Sequence, residues 1–129
     1  RFYFDRPALA SIALTTDTSA LTAIGNDYGY ELLFSRQLEA NAQTGDVYIA
    51  ISTSGNSKNI IHSLEVAKKL GLKTIGLTGQ KGGKMAEMVD YCVRVPSDET
   101  PRIQECHILI GHILCAAVEK ELFEKQYRK

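Results

Sequence analysis

The chain has 129 residues, a length typical of one domain, and its 15 lysines and arginines balance 15 aspartates and glutamates. With zero formal net charge and no basic tract, it offers no electrostatic support for nucleic acid or an anionic membrane as the main partner. The sequence shows no membrane-length apolar run or signal peptide, and its three cysteines lack C-x-x-C spacing, so we expect a cytoplasmic protein with reduced thiols.

The first predicted elements are a strand and two helices. The apolar segment ALASIAL predicts a strand over residues 8–14, and the polar residues after it supply a cap for a short helix. A Gly-Asn-Asp-Tyr-Gly sequence over residues 25–29 is expected to break this helix, and Asn26 and Asp27 within it are most often turn residues. A second helix is expected over residues 30–42.

The most informative segment is a strand, a polar loop and a helix over residues 46–70. The β-branched apolar run Val47–Ile51 predicts a buried strand, and apolar residues at helical spacing follow the loop. Residues 52–57 between them read Ser-Thr-Ser-Gly-Asn-Ser. A strand that turns into a helix in this way directs free backbone N–H groups and the positive helix end to one point. Surrounding hydroxyls complete an anion site, and phosphate is its usual occupant.

Two readings of this loop compete. Ser57 could simply cap the helix, because serine, glycine and asparagine are ordinary loop residues. Hydroxyls at Ser52, Thr53, Ser54 and Ser57 exceed what a cap requires, and they follow a strand at the edge where open α/β sheets bind ligands. We therefore favour a phosphate site. The loop matches neither the P-loop nor the dinucleotide consensus, which argues against a nucleotide.

The remaining elements complete an alternation of strands and helices. Strands are predicted over residues 73–77 and 91–95, a short helix over 85–89, and a long helix from Thr100 to about Gln126. The resulting order indicates a single α/β domain with a parallel sheet of four strands and helices on both faces.

The last helix has an unusually broad apolar face. The face carries Ile103, Ile110, Ile113, Leu114, Ala117, Val118 and Leu122. Gly111 within the helix costs about 1 kcal/mol relative to alanine, which suggests that another backbone or a ligand comes close there. Together these features predict a subunit interface.

Polar side chains outside the loop have ordinary explanations from sequence alone. Lys81 and Lys84 lie in a glycine-rich turn that is solvated by default, although they could face an acidic ligand. On the last helix lie Gln104, His107 and His112, and a histidine among apolar neighbours is more often structural than a ligand. Because Gln104 and His112 are about 12 Å apart along an ideal helix axis, periodicity alone does not predict a metal site.

The sequence resembles the phosphoheptose isomerases of the SIS (sugar isomerase) domain family. The resemblance rests on TTDTSALTAIGNDYGY, ISTSGNS, GLTGQKGGKMAEMVD, RVPSDETPRIQECH and LIGH, which together are highly specific. It implies a three-layer αβα sandwich, flavodoxin-like, with a parallel sheet. We therefore expect residues 1–129 to form a single SIS domain that is N-terminally incomplete, with four of five strands.

The resemblance also assigns roles to residues. It implies four hydroxyls that bind the substrate phosphate, Ser52, Thr53, Ser54 and Ser57. It implies two residues that contact the sugar chain, Asn26 and Asp27. It implies that Gln104 and His112 are catalytic, meet the reacting end of the substrate and bind one Zn²⁺ per subunit, with the remaining ligands supplied by an upstream segment. His107 has no such role and is expected to be structural.

The implied activity is aldose–ketose isomerisation of sedoheptulose 7-phosphate to D-glycero-D-manno-heptose 7-phosphate, the first step toward nucleotide-activated heptose for lipopolysaccharide core. A homotetramer with active sites between subunits is implied as well. Two alternatives stay open: a non-catalytic SIS protein that binds the replication initiator, and a SIS module that senses a sugar phosphate. The first branch carries S-T-R-G-N-S and an asparagine in place of His112, so Ser54 and His112 favour the isomerase.

Overall fold

In a computed structural model, which describes the backbone of residues 1–127 and the side chains of residues 1–124, helices pack on a parallel sheet. The α-helices are α1 (Thr18–Asp27), α2 (Leu33–Asn41), α3 (Lys58–Lys69), α4 (Met85–Met88) and α5 (Thr100–Tyr127). The strands are β1 (Val47–Ile51), β2 (Lys73–Thr78) and β3 (Tyr91–Arg94), and a 3₁₀ turn at Tyr30–Leu32 precedes α2.

The sheet has the order β1-β2-β3 and is parallel throughout. Val47 pairs with Lys73 at one end of the β1–β2 ladder, and Ile75 pairs with Tyr91 at the start of the β2–β3 ladder. The predicted α/β class with a parallel sheet is therefore confirmed. Because all strands run the same way, the loops that follow them meet at one edge of the sheet.

The core lies between the sheet and the helices α2 and α3. Tyr48 and Ala50 on β1 point into it and meet Leu64 and Ala67 of α3. The hydroxyl of Tyr48 lies 2.7 Å from Ser63 Oγ, so this buried polar group is paired. The alternate side chains of β1 are exposed: Val47 by 60%, Ile49 by 44% and Ile51 by 54%. Among the described residues, helices therefore cover only one face of the sheet at β1.

The strand predicted over residues 8–14 is wrong. This segment has no regular secondary structure, and the sheet has three strands in the described chain instead of the predicted four. A strand needs a neighbour that accepts and donates its backbone hydrogen bonds. Residues 8–14 pair with no strand in the described chain, and an apolar pattern alone cannot reveal whether a neighbour is present.

The predicted break of the first helix at residue 25 is also wrong. Helix α1 begins where Asp17 Oδ1 accepts the N–H of Ala20 at 3.0 Å, and it continues through Asp27. Gly25 is tolerated inside the helix at a modest cost, and the chain turns only at Gly29, whose φ is +93°. The predicted elements from residue 47 onward agree with the structure to within about one residue at most boundaries.

Helix α5 crosses the carboxyl end of β2. A Cβ built on Gly79 would lie 2.6 Å from Ile103 Cδ1, which shows how closely the helix approaches the end of the strand. The start of α5 therefore forms one side of the space at the carboxyl ends of the strands.

In the described part of the chain, no helix is both long and apolar enough to cross a membrane.

Candidate phosphate-binding site

The loop between β1 and α3, residues 52–57, which we call the hydroxyl loop, holds its hydroxyl groups in a fixed arrangement. Ser52 is buried, and its Oγ accepts the N–H of Gly55 at 3.1 Å and lies 3.0 Å from Ser57 Oγ. The Oγ of Ser54, an exposed residue, accepts the N–H of Asn56 at 3.2 Å. The structure therefore brings together the hydroxyl-bearing residues that were predicted to bind phosphate.

At the beginning of α3, some backbone hydrogen-bond donors have no acceptor among the described residues. Ser57 occupies the N-cap position, but its side chain makes no capping hydrogen bond to the helix. Within the described residues, the backbone N–H groups of Lys58 and Asn59 have no acceptor. A helix end with free N–H groups and adjacent hydroxyls suits an anion, and it is more than the simple capping interpretation requires.

A second loop, residues 79–84, packs against the first and supports its conformation. The carbonyl of Thr53 accepts the N–H of Gly79 at 3.0 Å, and that of Gly55 accepts the N–H of Met85 at 2.9 Å. Gly55 has a φ of +65°, and a Cβ built on it would lie 1.9 Å from the carbonyl oxygen of Gly82. Only glycine fits this contact, so the shape of the hydroxyl loop depends on the loop beside it.

The side chain of Asn56 joins the two loops as well. Its Oδ1 accepts the N–H of Lys84 at 3.0 Å, and its Nδ2 donates to the carbonyl of Ser54 at 3.2 Å. Sequence reasoning assigned no role to Asn56. It therefore supports the hydroxyl loop from within.

An open cavity of about 280 Å³ lies at the carboxyl edge of the sheet. It is lined by Thr53, Ser54, Asn56, Gly79, Gln80, Lys81, Ser97, Asp98, Thr100 and Ile103. These residues follow β1, β2 and β3 in turn, and the N–H of Gln80 donates to the carbonyl of Ser97 at 3.2 Å, joining the second and third walls. Only the first wall was predicted from the sequence as part of a site. The second and third walls could also have been predicted, because their residues directly follow predicted parallel strands.

The other predicted site residues lie outside this cavity. Asn26 and Asp27 are exposed at the end of α1, where Asn26 Nδ2 donates to Asp27 Oδ1 at 2.8 Å. Gln104 and His112 are exposed on α5, and the His112 ring centroid lies 5.9 Å from that of Phe2. None of these four residues lines the cavity beside the loop of residues 52–57.

The described residues do not form a zinc site by themselves. No group of three or more histidine, cysteine, aspartate or glutamate side chains among them is arranged to hold a metal ion. Gln104 and His112 are separated by about 12 Å along the axis of α5. A catalytic zinc ion usually has three protein ligands about 2 Å away, so these two residues are insufficient.

His107 occupies a structural position, in agreement with the sequence analysis. It is 5% exposed, and its Nε2 lies 3.2 Å from the carbonyl oxygen of Thr78. A carbonyl only accepts hydrogen bonds, so Nε2 carries the proton and donates. The same carbonyl accepts the N–H of Val95 at 2.9 Å, which ties α5 and the end of β3 to β2.

A buried carboxylate that sequence reasoning missed fixes the start of the chain to α5. Glu119 is 1% exposed and accepts the N–H of Phe2 at 2.7 Å, the N–H of Tyr3 at 2.6 Å and Arg6 Nε at 3.1 Å. Burial raises the pKa of Glu119, but hydrogen bonds from the Tyr3 and Phe2 backbone and from Arg6 outweigh it and lower the pKa overall. This clamp places Phe2 beside His112.

Replacing Glu119 with alanine is expected to destabilise the fold at neutral pH. The folded-state pKa lies below the ordinary value of 4.5, so the charged form stabilises the fold above that pH, and this contribution is lost as the pH falls through the lowered value. Thermal unfolding at pH 7 and at pH 3 measures the difference. Glu121→Ala, which removes an exposed carboxylate from the same helix, is the control. Equal melting temperatures for the two variants at pH 7 would contradict the clamp.

Comparison with known proteins places these features in a family. A model of the SIS domain matches residues 1–79. The phosphoheptose isomerase of Aneurinibacillus thermoaerophilus is 67% identical over 127 residues, which are 98% of this chain and 64% of that protein. Phosphoheptose isomerase 2 of Campylobacter jejuni is also 67% identical, over 98% of this chain and 63% of its own length. The chain thus spans somewhat less than two thirds of the length of these relatives.

Solved structures agree with the sequence comparison. A phosphoheptose isomerase from Neisseria gonorrhoeae superposes with a TM-score of 0.83 at 51% identity, over 84% of this chain and 62% of that one. A phosphoheptose isomerase from Francisella tularensis superposes with a TM-score of 0.86 at 43% identity, over 89% and 62% of the two chains. These structures share the fold of the present chain.

Proposed function

The chain belongs to the SIS domain family, and from that premise we propose that it is an aldose–ketose isomerase acting on sedoheptulose 7-phosphate. The observation that carries the proposal is the loop of residues 52–57, whose hydroxyls surround a helix end with free N–H groups. High identity to phosphoheptose isomerases supports the choice of substrate. The product would be D-glycero-D-manno-heptose 7-phosphate, the precursor for nucleotide-activated heptose of lipopolysaccharide core.

In the proposed reaction, one part of the site binds the substrate phosphate and another part carries out the proton transfer. A base moves a proton between C1 and C2 through an enediol, while an electrophile stabilises the oxygen that becomes negative. The hydroxyl loop holds the phosphate at the other end of the sugar, so its binding energy orients C1 and C2. We propose that Asn26 and Asp27 contact the sugar chain and that Gln104 and His112 meet its reacting end.

Zinc is proposed as the cofactor, with Gln104 and His112 as two of its ligands. Zinc would supply a Lewis acid beside the reacting oxygen. Residues 1–124 alone do not provide the usual three ligands, so no step of the mechanism above runs through the metal. The remaining ligands and the base are proposed to come from the upstream segment that the family resemblance implies.

A direct assay distinguishes the isomerase from its alternatives. Sedoheptulose 7-phosphate is supplied to the longer protein that carries the upstream segment, and the aldose product is detected specifically. A sugar-phosphate sensor would bind this compound without forming the aldose, and a protein that binds the replication initiator would do neither. Ser54 and His112 favour the isomerase because the initiator-binding branch carries arginine and asparagine at those positions.

Assembly into a homotetramer with active sites between subunits is also proposed, in the cytoplasm. Support comes from five exposed apolar residues of α5, Ile108, Leu109, Ile113, Val118 and Leu122. No heavy atom outside the helix backbone lies within 4 Å of a Cβ built on Gly111, so the close neighbour expected from the sequence is not found in the described chain. The space beside Gly111 is available to a second subunit.

Replacing Ile113 with glutamate is expected to dissociate the assembly. Ile113 is 57% exposed in the single chain, so a charge there is solvated in a monomer but buried without a partner in an interface. Light scattering of the longer protein that carries the upstream segment, at low micromolar concentration, measures the mass, with Lys120→Glu on the same helix as the control. A parent protein that is already monomeric would refute the proposed interface.

A further inference from the structure

The hydroxyl loop supplies only neutral donors, whereas a phosphate ester carries up to two negative charges at pH 7. Four hydroxyl-bearing residues and free backbone N–H groups can bind the oxygens, but none of them carries a full positive charge. A cation near the loop would therefore add binding energy that the loop lacks. The structure contains a specific candidate.

We propose that Lys81 is the charge partner of the bound phosphate. This inference rests on the proposed function, because it concerns the anion that the hydroxyl loop holds. Lys81 lines the same cavity as Thr53 and Ser54, and it is the only lysine or arginine among the cavity-lining residues. The family resemblance gave this residue no role.

The backbone holds Lys81 beside the hydroxyl loop. Gln80 and Lys81 are the central residues of a turn in which the N–H of Gly82 donates to the carbonyl of Gly79 at 3.1 Å. Both ends of this turn touch the hydroxyl loop: Gly79 through its hydrogen bond to Thr53, and Gly82 through its contact with Gly55. The root of the Lys81 side chain is thus fixed within the wall of the cavity.

Other cations near the loop are paired or do not line the cavity. Lys84, whose backbone N–H donates to Asn56 Oδ1, is exposed and is not among the cavity-lining residues. Lys58, the first residue of α3, forms an ion pair with Glu31 at 2.8 Å. Arg94 packs its guanidinium against Gly82, with Nε 2.9 Å from a Cβ built there, and it does not line the cavity. Lys81 is exposed, and no acidic side chain pairs with it in the described chain.

The acidic residue Asp98 lines the same cavity and restricts the orientation in which a sugar phosphate can bind. Asp98 follows β3 and lines the part of the cavity wall that includes Thr100 and Ile103. An anion is attracted to the Lys81 side of the cavity and repelled from the Asp98 side. The cavity therefore favours one orientation of a sugar phosphate, with the phosphate against Lys81 and neutral hydroxyls toward Asp98.

The test compares Lys81→Met with the parent by calorimetric titration with inorganic phosphate. We expect the dissociation constant to rise about tenfold, in line with a partly solvated charged hydrogen bond. Lys81→Arg should restore most of the affinity, because it keeps the charge. Lys69→Met, which removes an exposed lysine at the far end of α3, controls for net charge and should bind phosphate like the parent.

The pH dependence adds a readout that a structural role would not change. A phosphate ester becomes a dianion above a pKa of about 6, so the parent should bind sedoheptulose 7-phosphate more tightly at pH 7.5 than at pH 5.5. In Lys81→Met this gain should shrink. Unchanged affinity in Lys81→Met at both pH values would overturn the assignment of Lys81 while leaving the hydroxyl loop in place. A parent that binds neither phosphate nor sedoheptulose 7-phosphate would overturn the proposed phosphate site itself.

Discussion

Replacing Ser54 and Ser57 together with alanine is expected to weaken phosphosugar binding by about 10²–10⁴-fold, because each lost hydrogen bond to a charged group costs about 1.5–3 kcal/mol if the two are additive. The fold should survive. Ser54 is exposed, and Ser57 makes no capping hydrogen bond. Its Oγ lies 3.0 Å from that of buried Ser52, which keeps the N–H of Gly55 as a partner in the variant. Calorimetric titration with sedoheptulose 7-phosphate measures the affinity.

A matched control for this double variant is Ser19→Ala, which removes an exposed hydroxyl near the start of α1. Thermal unfolding of each variant verifies that the fold is retained. If the double variant binds the phosphosugar as tightly as the parent, the phosphate does not lie in the loop of residues 52–57.

Replacing His112 with asparagine is expected to reduce turnover by about 10²–10⁴-fold, the range typical for loss of a group that transfers a proton. The experiment uses the longer protein that carries the upstream segment. There we also expect about one zinc ion per subunit, lowered by the substitution. Phosphate binding should be unchanged, because His112 lies on α5 and does not line the cavity beside the hydroxyl loop.

Two comparisons make this result specific. His62→Asn removes a histidine from the exposed surface of α3, where it lies 3.6 Å from Glu31 and Glu65, and it should leave turnover unaffected. Residues 1–129 alone are expected to bind zinc poorly and to isomerise nothing, because they offer two of the ligands. Full activity in His112→Asn, or zinc-independent activity from residues 1–129, would refute the mechanism.

Part of the site could be predicted from the sequence, because its signal is local. The hydroxyls of residues 52–57 stand together in the chain, between a strand and a helix recognisable by periodicity. The second and third walls of the cavity come from residues 79–81 and 97–103, which are distant in sequence. Their contribution depends on which strands are neighbours, and periodicity does not encode that order. The roles of Gln104 and His112 rest on family resemblance and remain predictions.

The α/β class, the three strands from residue 47 onward and the hydroxyl loop can be predicted from the sequence alone, because each depends on residues within a few positions of one another. Three features are visible only in the folded chain: residues 8–14 form no strand, Gly55 must be glycine because Gly82 lies against it, and Glu119 binds the backbone of Phe2 and Tyr3. Each of these depends on a partner that chain folding supplies. A hydrogen bond or a steric contact between distant residues leaves no periodic pattern in either segment.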